Sequence, residues 1–165
     1  LNTYPEVETH LVITDPGKKT LILETPYKEL TDLEKIANYS YAIDDIGASI
    51  SSGSFRTDGM VVAPCSARTL SAIAHSHDDN LLVRACDVVL KERRKLVLVF
   101  RETPLHLGHI RNLERVTEMG AIVLPPVPAF YNGPKTIADI VDQTVGKVLD
   151  LFSIEHNLYH RWGNS

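Results

Sequence analysis

The sequence predicts a doubly wound α/β fold, a three-layer sandwich built on a mostly parallel sheet. Two observations carry this. Apolar runs of strand length recur at 9–14, 59–63, 96–100 and 121–124, and their continuity, with no polar alternation, marks strands buried on both faces. Segments of helical period lie at 30–39, 67–75, 80–93, 109–118 and 136–151. Strand and helix repeating in this order build a parallel sheet with helices on both sides.

At 165 residues, 44% hydrophobic and 23% charged, the chain has the size and balance of one globular domain, spanning 1–165, with a core of its own. The net charge of −4 and pI near 6.0 give no basic field, and the dense cationic cluster at 91–95 is short, so nucleic acid is excluded as a partner. No window reaches the roughly 18 consecutive apolar residues of a bilayer span, and no signal-peptide pattern opens the sequence. A cytoplasmic location is expected. Two cysteines are too few for a disulfide framework or a four-cysteine zinc site.

The helical segments differ in what they present. In 80–93, Leu81, Leu82, Ala85, Val88 and Val89 fall at offsets of three and four, while Arg84, Asp87 and Lys91 share the other face, so one side packs and one side carries charge. The segment 136–151 is expected to bury Ile137, Ile140, Val141, Val145, Val148 and Leu149, with Lys147 at the edge of that stripe, able to snorkel toward a site.

In open parallel sheets the ligand crevice lies beyond the carboxyl ends of the strands. After the run at 59–63 comes Pro64-Cys65-Ser66-Ala67-Arg68-Thr69, where Ser66 is a natural N-cap and the backbone N–H groups behind it suit a phosphate; an ordinary capped helix would read the same way. After 96–100 comes Arg101-Glu102-Thr103-Pro104, a fork-shaped cation beside a carboxylate, equally readable as a solvated ion pair. After 121–124 the stiff loop Pro125-Pro126-Val127-Pro128 leads to Phe130 and Tyr131, whose tyrosine either meets a ligand or covers the core. The small polar stretch Ser51-Ser52-Gly53-Ser54-Phe55 admits a flat ring or a phosphate, or is a plain loop. Seven histidines find no carboxylate or thiol at metal-ligand spacing, so no metal is expected. Cys65 has no adjacent histidine to serve as a base and is expected to be a buried filler. Cys86 belongs to the core.

Taken together and in order, Ile50-Ser51-Ser52-Gly53-Ser54-Phe55, Val62-Ala63-Pro64-Cys65-Ser66, the segment from Ala85 through Arg94, Arg101-Glu102-Thr103-Pro104-Leu105, and the segment from Pro125 through Tyr131 resemble the UbiX and Pad-type flavin prenyltransferases. The likeness runs from about Glu8 to Trp162. It implies a flavodoxin/Rossmann-like sandwich that uses reduced FMN and dimethylallyl phosphate without a metal. The prenyl unit is joined to flavin N5 and C6, and the product serves a UbiD-type decarboxylase in ubiquinone synthesis or aromatic acid decarboxylation.

Residue by residue, the resemblance implies that Ser66, Ala67, Arg68 and Thr69 hold the flavin, with Thr14 where relatives usually have serine. Arg101 would touch both flavin and substrate phosphate; Lys91, Tyr131 and Lys147 would complete the phosphate cradle, and Arg84 would come from a neighbouring subunit. Lys147 stands where many relatives have arginine. Glu102 would handle the proton. A trimer-based homo-oligomer, up to a dodecamer, follows from the same likeness. Relatives begin with an apolar strand and a Gly-Ala-Ser-Gly-type loop around the flavin, and this sequence enters after that element, either because it starts late or because this version lacks the loop. A non-catalytic FMN-binding or regulatory subunit of the same fold is the alternative reading. A peptidyl-cysteine decarboxylase is disfavoured, because its Pro-x-Met-Asn motif is replaced by Pro126-Val127-Pro128-Ala129.

Overall fold

The computed structural model describes residues 4–27, 29 and 31–161; Leu30 and Trp162, which the sequence reading includes, lie outside them. In chain order the elements are β1 (His10–Val12), α1 (Asp15–Glu24), α2 (Thr31–Glu34), β2 (Tyr39–Tyr41), β3 (Gly59–Cys65), α3 (Ala67–Ala74), α4 (Leu81–Lys91), β4 (Lys95–Phe100), α5 (Leu107–Glu118), β5 (Ile122–Val123) and α6 (Ile137–Leu151). Every strand pair is parallel: β1 with β2, and β3, β4, β5 in that order. The fold is the expected α/β class.

β4 is the centre of the three-stranded sheet. Leu96, Val97, Leu98, Val99 and Phe100 are all buried, as a continuous apolar run in a covered parallel strand requires. Burying each such side chain contributes about 1.5–3 kcal/mol. Against this sheet pack Leu70 and Ile73 of α3, Leu82, Cys86 and Val89 of α4, and Val116 of α5. The apolar stripe expected on 80–93 is therefore the buried face of α4, and both cysteines lie in the core. β3 enters beside β4 at Gly59, where φ is +152° and a Cβ would lie 2.3 Å from the Lys95 carbonyl oxygen; only glycine fits that approach.

Three expectations are corrected. The helix read over 30–39 is only α2, and Tyr39–Tyr41 is strand β2, paired with His10–Val12; the periodicity there was weak and strand pairing overrode it. α1 was not expected, because none of its residues is buried and a helix without a buried face writes no apolar stripe. In α6, Leu149 is buried, but Ile137, Val141 and Val145 are 82%, 53% and 43% exposed. The buried face runs instead through Gln143, Gly146 and Leu149, because the following segment, not the sheet, covers that helix around Gly146.

Candidate functional site

β3 ends at Cys65 and α3 starts two residues on. Ser66 is extended, its hydroxyl accepts the Thr69 N–H at 3.2 Å and donates to Thr69 Oγ1 at 3.1 Å, and the first intrahelical bond runs from Leu70 N–H to the Ser66 carbonyl at 2.8 Å. The N–H groups of Ala67 and Arg68 precede that bond and point out of the helix end, an arrangement that stabilises an anion. Cys65 beneath them is fully buried, and desolvation pushes its thiol up to about 12. It is a neutral thiol packed in the core, not a thiolate nucleophile.

β4 carries the neighbouring strand end. The Arg101 N–H donates to the Cys65 carbonyl at 3.3 Å, which ties the start of the Arg101-Glu102 segment to the foot of α3. Both side chains are exposed. Glu102 Oε1 accepts the Thr103 N–H at 3.2 Å; the two side chains do not form the ion pair that their adjacency suggested, and Arg101 has no salt-bridge partner among the described residues. Cis peptide bonds precede Pro64 and Pro104. One end of the sheet thus joins helix N–H groups, a guanidinium and a carboxylate, open to solvent.

Tyr131 follows β5 in a short 3-10 turn and is 63% exposed, so it does not cover the core. Thr14, after β1, is half-buried and caps α1 by accepting the Gly17 N–H at 3.1 Å. Next to it opens a cleft of about 230 Å³ lined by Ile13, Lys18, Glu34, Ser40, Tyr41 and Ala42. Sequence reading missed this cleft because its walls come from the residue after β1, from α1 and α2, and from β2 and the residue after it, segments brought together by strand pairing.

The remaining candidates lie elsewhere. β4 spans Lys95–Phe100, so its ends are about 16 Å apart at roughly 3.3 Å per residue. Lys91 ends α4 at the amino end of β4, with its ammonium 2.5 Å from Glu92 Oε1, whose carboxyl it holds below the usual range. Arg84, farther back in α4, donates to the Ser51 carbonyl at 3.3 Å and to Asp78 and Asp87 at 3.3 and 3.1 Å. Ser51-Ser52-Gly53-Ser54-Phe55 lies at this same end, held by Arg94, which donates to the carbonyls of Gly53 and Phe55 at 2.7 Å each. Lys95 at the foot of β4 donates to the Leu151 carbonyl at the end of α6, so Lys147, one turn earlier, also lies toward the amino end of the strand. One chain therefore joins Ser66 to Thr69 with Arg101 and Glu102, and leaves Arg84, Lys91 and Lys147 apart from them.

Comparison with known proteins decides the family. The flavoprotein family profile matches residues 6–149. The chain is 57% identical over 156 residues to the flavin prenyltransferase UbiX of Thauera aromatica, covering 94% of this chain and 80% of that protein. This chain belongs to the UbiX flavin prenyltransferase family. To the UbiX of Escherichia coli K12 it is 52% identical, over 98% of this chain and 86% of that one. Among solved structures of UbiX-type proteins, AnUbiX in complex with FMN and dimethylallyl pyrophosphate superposes with a TM-score of 0.93 at 48% identity, covering 96% of this chain and 84% of that chain. A dodecameric FMN-dependent Ubix-like decarboxylase from Escherichia coli O157:H7 does so with a TM-score of 0.96 at 51% identity, covering 99% and 88%. No helix among the described residues is long and apolar enough to cross a membrane.

Proposed function

We propose that this chain is a flavin prenyltransferase that transfers a dimethylallyl group from dimethylallyl phosphate to N5 and C6 of reduced FMN. The observation that carries this reading is the joined strand end, where the open amino terminus of α3 is hydrogen-bonded through Cys65 to the start of the Arg101-Glu102 segment. FMN supplies the nucleophilic ring atoms. Ser66, Ala67, Arg68 and Thr69 fit its phosphate, with uncommitted N–H groups and an exposed cation, and Thr14 adds a hydroxyl beside the cleft. Arg101 is placed for both flavin and donor. Glu102, exposed and one residue on, accepts the proton that ring closure releases.

Departure of an allylic phosphate needs positive charge in place before reaction. Lys91, Tyr131, Lys147 and Arg84 are the residues for that cradle. Because Lys91 and Lys147 lie toward the far end of β4 from Arg101, the cradle closes between copies of the chain, as proposed for Arg84. This supports a trimer-based homo-oligomer, up to the dodecamer of the Ubix-like relative. The exposed stripe of Ile137, Val141 and Val145 offers an apolar face for such contacts. The prenylated flavin would pass to a UbiD-type decarboxylase in the cytoplasm.

The test is the flavin mass after incubation with reduced FMN and dimethylallyl phosphate. A flavin heavier by one prenyl unit is expected; bound FMN of unchanged mass would instead support a non-catalytic flavin-binding subunit.

A further inference from the structure

The segment after α6 folds back onto that helix. Gly146 makes room for it: a Cβ there would come within 2.6 Å of both the His156 and Tyr159 rings. Asp150, one turn further on, gathers the segment, accepting from His156 Nε2 at 3.1 Å, from Arg161 at 2.5 Å and from the Tyr159 hydroxyl. The Leu158 N–H donates to His156 Nδ1 at 3.2 Å, which leaves Nε2 as the nitrogen that donates to Asp150. The Tyr159 ring is thereby fixed at its hydroxyl. Against this ring lie two cations, the Lys147 ammonium 5.5 Å and the Arg161 guanidinium 5.8 Å from its centroid.

We propose that Tyr159 is a positioning residue for Lys147, seating the ammonium so that it meets the phosphate of the allylic donor from one defined place. The proposal rests on the reading of Lys147 as a phosphate ligand and adds what holds it. An arginine would bring a planar fork with its own orientation, whereas lysine is a point charge on a flexible stem that needs restraint from outside. The nature of the seat matters. Asp150 is taken up by the Arg161 guanidinium, the His156 Nε2–H and the Tyr159 hydroxyl, so Lys147 rests on an aromatic face and not on a carboxylate. An aromatic face attracts the ammonium through its quadrupole and leaves the positive charge unneutralised for an anion. Holding the side chain in advance removes rotamer entropy that phosphate binding would otherwise have to overcome.

The experiment uses the full chain with Tyr159→Phe and Tyr159→Leu, each with and without Lys147→Ala. It reads KM for dimethylallyl phosphate, KM for FMN, kcat, and the Kd of inorganic phosphate by calorimetry. For a cation over an aromatic face at an exposed site, Tyr159→Leu is expected to raise the donor KM and the phosphate Kd roughly two- to fivefold, with kcat and the FMN KM unchanged. Tyr159→Phe keeps the ring but loses the hydroxyl that Asp150 holds, so its effect should fall between the parent and Tyr159→Leu, and Tyr159→Leu should add nothing in the Lys147→Ala background. An FMN KM that rises with the donor KM, or an equal loss in both backgrounds, overturns the proposal by revealing a general structural role. If Lys147→Ala raises the donor KM and Tyr159→Leu does not, the proposal alone falls; if Lys147→Ala changes nothing, the phosphate-ligand reading falls with it. Should Tyr159→Leu not fold, Lys147→Arg combined with Tyr159→Phe or Tyr159→Met gives the same contrast, with the arginine expected to reduce the dependence on the ring.

Discussion

At the scale of single residues, two side chains at the strand ends carry opposite expectations. Glu102 is exposed beside Arg101 and, among the described residues, is anchored through the Thr103 N–H. Glu102→Gln keeps its shape and removes its basicity, so turnover should fall by about 10²–10⁴-fold while FMN titration stays unchanged; full turnover in the variant would remove Glu102 from the proton step. Cys65 lies at the same place in sequence terms, yet it is buried with its thiol pushed up to about 12. Cys65→Ala should leave turnover near the parent value and cost about 1 kcal/mol in a melt, as loss of a small core group does. The sequence already favours a buried filler at Cys65, which has no adjacent histidine to serve as a base, and the structure buries it.

At the scale of elements, α6 and the segment behind it are joined by one carboxylate. The Arg161 hydrogen bond is the leading cause that brings Asp150 down from 3.8 to about 2, with the Tyr159 hydrogen bond and the Arg161 charge beside it. A folded-state value below the unfolded one means that the carboxylate contributes stability above pH 3.8, lost progressively as the pH falls to about 2. Chain melts over that window should show the parent losing more stability than Asp150→Asn, and parallel curves would contradict it. The element boundaries show how sequence and structure divide. The Ser66 cap was readable because serine before a helical stripe has a known partner, whereas α5 starts earlier than expected because His106, an unusual cap, accepts the Gly108 N–H at 3.0 Å.

At the scale of the whole molecule, the proposed roles of Lys91, Lys147 and Arg101, set apart along β4, predict that activity requires assembly. Val141→Lys with Ile137→Lys places two charges on the exposed stripe of α6 without touching a side chain assigned to flavin or donor. Sedimentation should show smaller species, and turnover should fall with them. A dissociated yet fully active preparation would mean that one chain completes its own cradle.

The sequence alone determined the α/β class, the cap at Ser66 and the family likeness, and marked three strand ends as candidate sites, because apolar runs, turn residues and ordered motifs are local features of the chain. Tertiary structure decided which of those residues meet. Whether Arg101 adjoins α3 depends on β3 and β4 pairing side by side; whether Lys91 joins it depends on which end of β4 the helix α4 reaches. The exposure of the α6 stripe and the seating of Lys147 on Tyr159 depend on a segment folding back over Gly146, a contact between surfaces that sequence periodicity does not record.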